Sequence, residues 1–108
     1  MITVAFARRA LADLRLLRAF IIAGHPDGQA AGERLADAMA ARLARAIEAL
    51  REFPRMGQPG DIPDTREITV PGPTRRLTCR VGYRPDGDRV TVLGITWGGR
   101  HFTAADGE

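Results

Sequence analysis

A chain of 108 residues, 44% hydrophobic and 27% charged, fits one compact domain that buries about two-thirds of the surface its unfolded form exposes. All 16 basic residues are arginine, set against 13 acidic ones, so every basic side chain is a permanent cation and a poor proton shuttle. A single cysteine excludes an internal disulfide, that cysteine and two histidines are too few for a structural zinc site, and no apolar run approaches the roughly 20 residues of a membrane span.

The N-terminus, MITVAFARRA, lacks the basic-then-apolar order of a signal peptide, so the chain reads as cytoplasmic. Residues 2–7 place Ile2, Val4 and Phe6 on one face at period two, which predicts a short strand. From Arg8 to Ala23 the period lengthens: Leu11, Leu14, Leu17 and Ile21 form one stripe, with Arg8, Arg15 and Arg18 largely off it. Gly24 and Pro26 end this amphipathic helix, and Asp27 is positioned to cap the next. From Gln29 to Glu52, Leu35, Met39, Leu43, Ile47 and Leu50 make a second seam, so the two helices should pair antiparallel across the HPDG turn. These seams are core.

Residues 53–64, FPRMGQPGDIPD, carry prolines and glycines too densely for any regular element and predict a long connector. Period two then returns. In TREITV, Ile68 and Val70 share a face, with Arg66 and Glu67 straddling the strand. In RRLTCRVGY, Leu77, Cys79, Val81 and Tyr83 share one face and Arg76, Thr78 and Arg80 the other; Cys79 reads as a small buried hydrophobe. PDGD, residues 85–88, is turn chemistry. RVTVLGITW reads as apolar on both faces, with Val90 and Val92 on one and Leu93, Ile95 and Trp97 on the other, as expected of a central strand. Gly98 and Gly99 permit a sharp turn before Arg100, and residues 104–108 should form a loose, disordered tail. The order predicts an α+β domain over 1–108: an N-terminal strand, an antiparallel helical hairpin, then a three-stranded antiparallel meander, with the helices on one face of the sheet.

The other face must meet water or a partner. Seven arginines fall between residues 66 and 100 against three acidic residues, Glu67, Asp86 and Asp88, so this half is the more one-sided in charge. Such a surface attracts phosphates or acidic peptide. A metal-free ribonuclease would need a base, an acid and cations around the phosphate. Arginine supplies only the last, and the near-neutral titrators are His25, in the interhelical turn, and His101, beside Arg100.

Several stretches together resemble the ParE branch of the RelE/ParE toxin superfamily of type II toxin–antitoxin modules. They are Ala10-x-x-Asp13-Leu14, Leu50-x-x-Phe53-Pro54-x-x-Gly57, Arg66-Glu67-Ile68, and the last strand followed by Arg100. The resemblance spans nearly the whole chain. It implies a helical hairpin on an antiparallel sheet, no cofactor, and a ParD-like antitoxin that wraps the toxin. For ParE-like members it implies poisoning of DNA gyrase by binding; for RelE-like members, ribosome-dependent cleavage of messenger RNA. Carried over residue by residue, Arg76 and Arg100 fall near the RelE-like catalytic arginines, with His101 as the available proton carrier. The second-strand lysines are replaced near Glu67 and Thr69, and the C-terminal tyrosine is missing from HFTAADGE. The resemblance therefore favours the gyrase inhibitor over a ribonuclease with altered groups, or over a member that only binds its antitoxin. It implies no sequence-specific DNA binding without the antitoxin. Arg66, Arg76, Arg80, Trp97 and Arg100 are the expected contacts with antitoxin or target, Trp97 serving either as core or as the rim of that surface.

Overall fold

The computed structural model describes residues 1–98; the expected tail at 104–108 lies outside the described residues. Strand β1 (Thr3–Phe6) leads into helices α1 (Arg8–Gly24) and α2 (Gln29–Ala49). The chain then forms β2 (Gln58–Pro59), β3 (Arg66–Pro71), β4 (Thr78–Asp86) and β5 (Arg89–Trp97). The sheet order is β1-β5-β4-β3-β2, so the α+β meander expected from the periodicities is present and gains a strand at each edge. β1 runs parallel to β5, in register from Thr3↔Arg89 to Phe6↔Val92, a pairing that requires a crossover; the helical hairpin supplies it.

Local chemistry explains where the elements end. α2 stops at Ala49 rather than Glu52, because Phe53 precedes Pro54 and the chain closes in a tight turn, the Phe53 N–H reaching the Ala49 carbonyl at 3.0 Å. Asp27 is not the cap of α2. Gly28 holds that position with no side-chain bond, while the Asp27 N–H donates to His25 Nδ1 at 3.1 Å. The connector is not wholly irregular, since Gln58 and Pro59 pair with Glu67 and Arg66. β4 begins at Thr78, leaving Arg76 in the preceding loop, and the β4–β5 hairpin closes through Asp86↔Arg89.

The helices cover one sheet face. Leu17 and Ile21 of α1 and Met39, Leu43 and Ile47 of α2 meet Ile68, Val70, Cys79, Val81, Tyr83, Val90, Val92 and Ile95 in one buried cluster. Full burial of each large apolar side chain contributes roughly 1.5–3 kcal/mol. Leu11, expected in the α1 seam, is instead exposed. β5 is not apolar on both faces. Gly82 pairs with Gly94, but Tyr83 pairs with Val92, so Leu93 is an extra residue that shifts the alternation by one. This bulge turns Val90 and Val92, and also Ile95 and Trp97, to the helical side.

The bulge leaves a backbone group to satisfy. β1 pairing ends at Phe6↔Val92, and the edge of β5 beyond it is met by α1. The buried Asp13 carboxylate takes over as acceptor: Oδ2 receives the Ile95 N–H at 2.9 Å and Oδ1 receives Arg9 Nε at 2.9 Å. A carboxylate on a helix thereby does what a neighbouring strand would do.

Candidate functional site

The residues singled out by sequence divide between the two faces and the two ends of the sheet. Arg80 points to the face away from the helices, where its Nε lies 3.5 Å from Glu67, both side chains being largely covered. Its strand neighbours are Thr69 and Thr96, and Thr96 is buried. That face is thus mixed in charge at its centre rather than a bare row of guanidinium groups. Arg66 shares the alternation of Ile68 and Val70, on the helical side. Its Nη1 donates to the carbonyls of Arg55 (3.1 Å) and Gly57 (2.7 Å) and ties the connector to the sheet. Arg100 and His101 lie outside the described residues.

Below Arg66 sits Tyr83, fully buried, whose hydroxyl accepts the Gly57 N–H at 3.0 Å. Burial pushes its pKa up, opposed by that hydrogen bond and by the charges of Arg66 and Arg55. Gly57 is required by closeness: a Cβ there would lie 2.8 Å from both the Tyr83 hydroxyl and the Glu67 carbonyl oxygen. Burial likewise pushes the Cys79 thiol up to about 11. Among the described residues no cluster of three or more His, Cys, Asp or Glu is placed to hold a metal ion, and no helix is long and apolar enough to cross a membrane.

Trp97 and Arg76 converge on the other end of β4. Trp97 is half-buried at the margin of the core, and its ring lies 5.9 Å from that of Phe20 with a 43° tilt. Phe20 is 57% exposed and Leu16 one turn earlier is 60% exposed, a large apolar area for a helix face turned to solvent. Phe20 also borders a groove of about 610 Å³ whose floor includes Ile21, Leu35 and Leu77 and whose rim carries Arg75, Arg76 and His25. No acidic residue lines it. The arrangement is an apolar trough with cations on its edge, suited to an amphipathic acidic segment. Sequence reasoning missed Phe20, Leu16 and Arg75 in this setting. The available signal was that Leu16 and Phe20 remain as apolar residues once the buried seam of α1 has been drawn.

The sequence model of the family described as ParE toxin of type II toxin-antitoxin system, parDE, matches residues 4–102. Among solved structures, a chain described as the chromosomal ParDE TA system from P. aeruginosa superposes with a TM-score of 0.67 at 18% identity, covering 90% of this chain and 96% of that one. At that identity the likeness concerns the fold. No curated protein matches the chain.

Proposed function

The chain belongs to the ParE toxin family of type II toxin–antitoxin systems, and from that premise we propose that it inhibits DNA gyrase by binding it and is held inactive by a ParD-like antitoxin. The observation that carries the antitoxin half is the exposed Leu16–Phe20 surface, with the half-buried Trp97 ring beside it, running into an apolar groove edged by Arg75 and Arg76. An antitoxin segment that folds on binding, apolar on one side and acidic on the other, would cover the aromatic rings and place carboxylates on the guanidinium groups. What supports binding as the mode of action is the sequence: arginines without the lysines and tyrosine of the RelE-like set.

Purified gyrase tests the target. Added protein should slow supercoiling and accumulate cleaved DNA complex, and an antitoxin peptide should reverse both effects. Undiminished supercoiling, together with new messenger ends when the protein is added to translating ribosomes, would instead establish the ribonuclease.

A further inference from the structure

A second cleft, of about 560 Å³, lies at the opposite end of β4 from the apolar groove. From Arg76 to Arg84 the chain advances roughly 27 Å at the ordinary strand rise of about 3.3 Å per residue, so the two sites are separate. The cleft is bordered by Arg55 of the connector, Arg66 of β3 and Arg84 of β4, together with Asp64 and Asp86. None of these three arginines forms an ion pair among the described residues, although two carboxylates line the same cleft. Arg66 is held in place by its two bonds to the connector carbonyls. One of those bonds runs to the Arg55 carbonyl itself at 3.1 Å, so the two residues meet at the wall of the cleft that both line. Three cations against two carboxylates leave the cleft with an excess of positive charge, which an incoming anion offsets.

We propose that this cleft binds a phosphate ester, with Arg55, Arg66 and Arg84 taking the phosphate oxygens and Asp64 or Asp86 accepting a neighbouring sugar hydroxyl. The planar guanidinium fork matches phosphate oxygens, and a tetrahedral group can engage several forks at once, which a carboxylate does less well. The volume is that of a small-molecule site and exceeds what a lone carboxylate fills. That excess of one positive charge balances a singly charged phosphodiester, while a nucleotide monoester brings up to about one negative charge more. The ester comes from a free nucleotide or from a nucleic-acid strand. The inference goes beyond the toxin reading and does not depend on the gyrase target.

The test is an NMR titration of the ¹⁵N-labelled full chain at low salt with AMP, with a short single-stranded oligonucleotide, with inorganic phosphate and with acetate. Saturable shifts at the Arg55 and Arg84 side-chain N–H groups and the Gly87 amide are expected with AMP or with the oligonucleotide. Tighter binding per phosphate of one or the other identifies the source. Arg55→Gln and Arg84→Gln, both exposed positions, should each weaken binding about tenfold, as loss of a charge-assisted pair predicts. Arg75→Gln, in the other groove, should leave binding unchanged. Asp86→Asn should weaken AMP but not inorganic phosphate. Absence of saturable shifts in the cleft would overturn the proposal. So would acetate shifts equal to those of AMP, or unchanged affinity in both the Arg55 and Arg84 variants.

Discussion

Replacing Asp13 with alanine removes the side-chain acceptor that α1 offers to the Ile95 N–H at the edge of β5. Asp13 is 4% exposed and its Oδ2 receives the Ile95 N–H at 2.9 Å. With Oδ2 gone, that buried N–H has no strand beside it, because β1 pairing ends at Val92. An unsatisfied buried donor costs about 1–3 kcal/mol. The partner Arg9 is 36% exposed on its side chain, so its half of the interaction reverts to water at a cost of less than about 1 kcal/mol. Asp13→Ala should therefore lose about 2–3 kcal/mol, a large part of the roughly 5–15 kcal/mol typical of a domain, and melt about 10 °C lower. Asp13→Asn retains a carbonyl oxygen for Ile95 and should lose about 1 kcal/mol. Urea unfolding followed by Trp97, the only tryptophan, reports both variants, and an unchanged m-value shows that a shifted midpoint is a change in stability. A loss below about 0.5 kcal/mol in Asp13→Ala would refute the reasoning, because it would mean that the β5 edge finds another acceptor at little cost.

The connector offers a second stability test. Gly57→Ala drives a methyl group to 2.8 Å from the Tyr83 hydroxyl and the Glu67 carbonyl oxygen and should cost about 1–3 kcal/mol, while Tyr83→Phe strands the Gly57 N–H and should cost a similar amount, both read from thermal melts. Alkaline stability follows from the two buried acids. The Cys79 thiol is raised from 9.0 to about 11 and the Tyr83 phenol is raised as well, so the unfolded chain loses these protons first. Stability should hold below about pH 9 and fall as the pH rises toward 11, by up to roughly 3 kcal/mol from Cys79, with a shallower fall in Cys79→Ala. On the apolar groove, Phe20→Ala and Arg76→Glu should each weaken antitoxin binding by about tenfold or more in calorimetry while leaving the melting temperature nearly unchanged; full affinity in both would remove this surface from the interface.

Periodicity determined the order of elements, because a helix or strand repeat is written in consecutive residues and needs no knowledge of neighbours. The seams Leu17–Ile21 and Met39–Leu43–Ile47 and the inward Leu77–Cys79–Val81–Tyr83 face stand in the structure as read, while Leu11 falls out of the first seam and the Pro- and Gly-rich connector yields the short strand β2. The resemblance carried by Asp13, Phe53-Pro54, Gly57 and Arg66-Glu67 also named the family correctly. What only the tertiary structure decided depends on residues far apart in the chain. Period two could not reveal the extra residue at Leu93, since a bulge is defined by the partner strand, and this reversed the expected facing of Val90 and Val92 relative to Ile95 and Trp97. Nor could local pattern distinguish Arg66, anchored through Nη1 to connector carbonyls, from Arg76 on an open rim. The link from Asp13 to Ile95 spans 82 residues, and a carboxylate on an amphipathic helix carries no mark of the strand edge that it will satisfy.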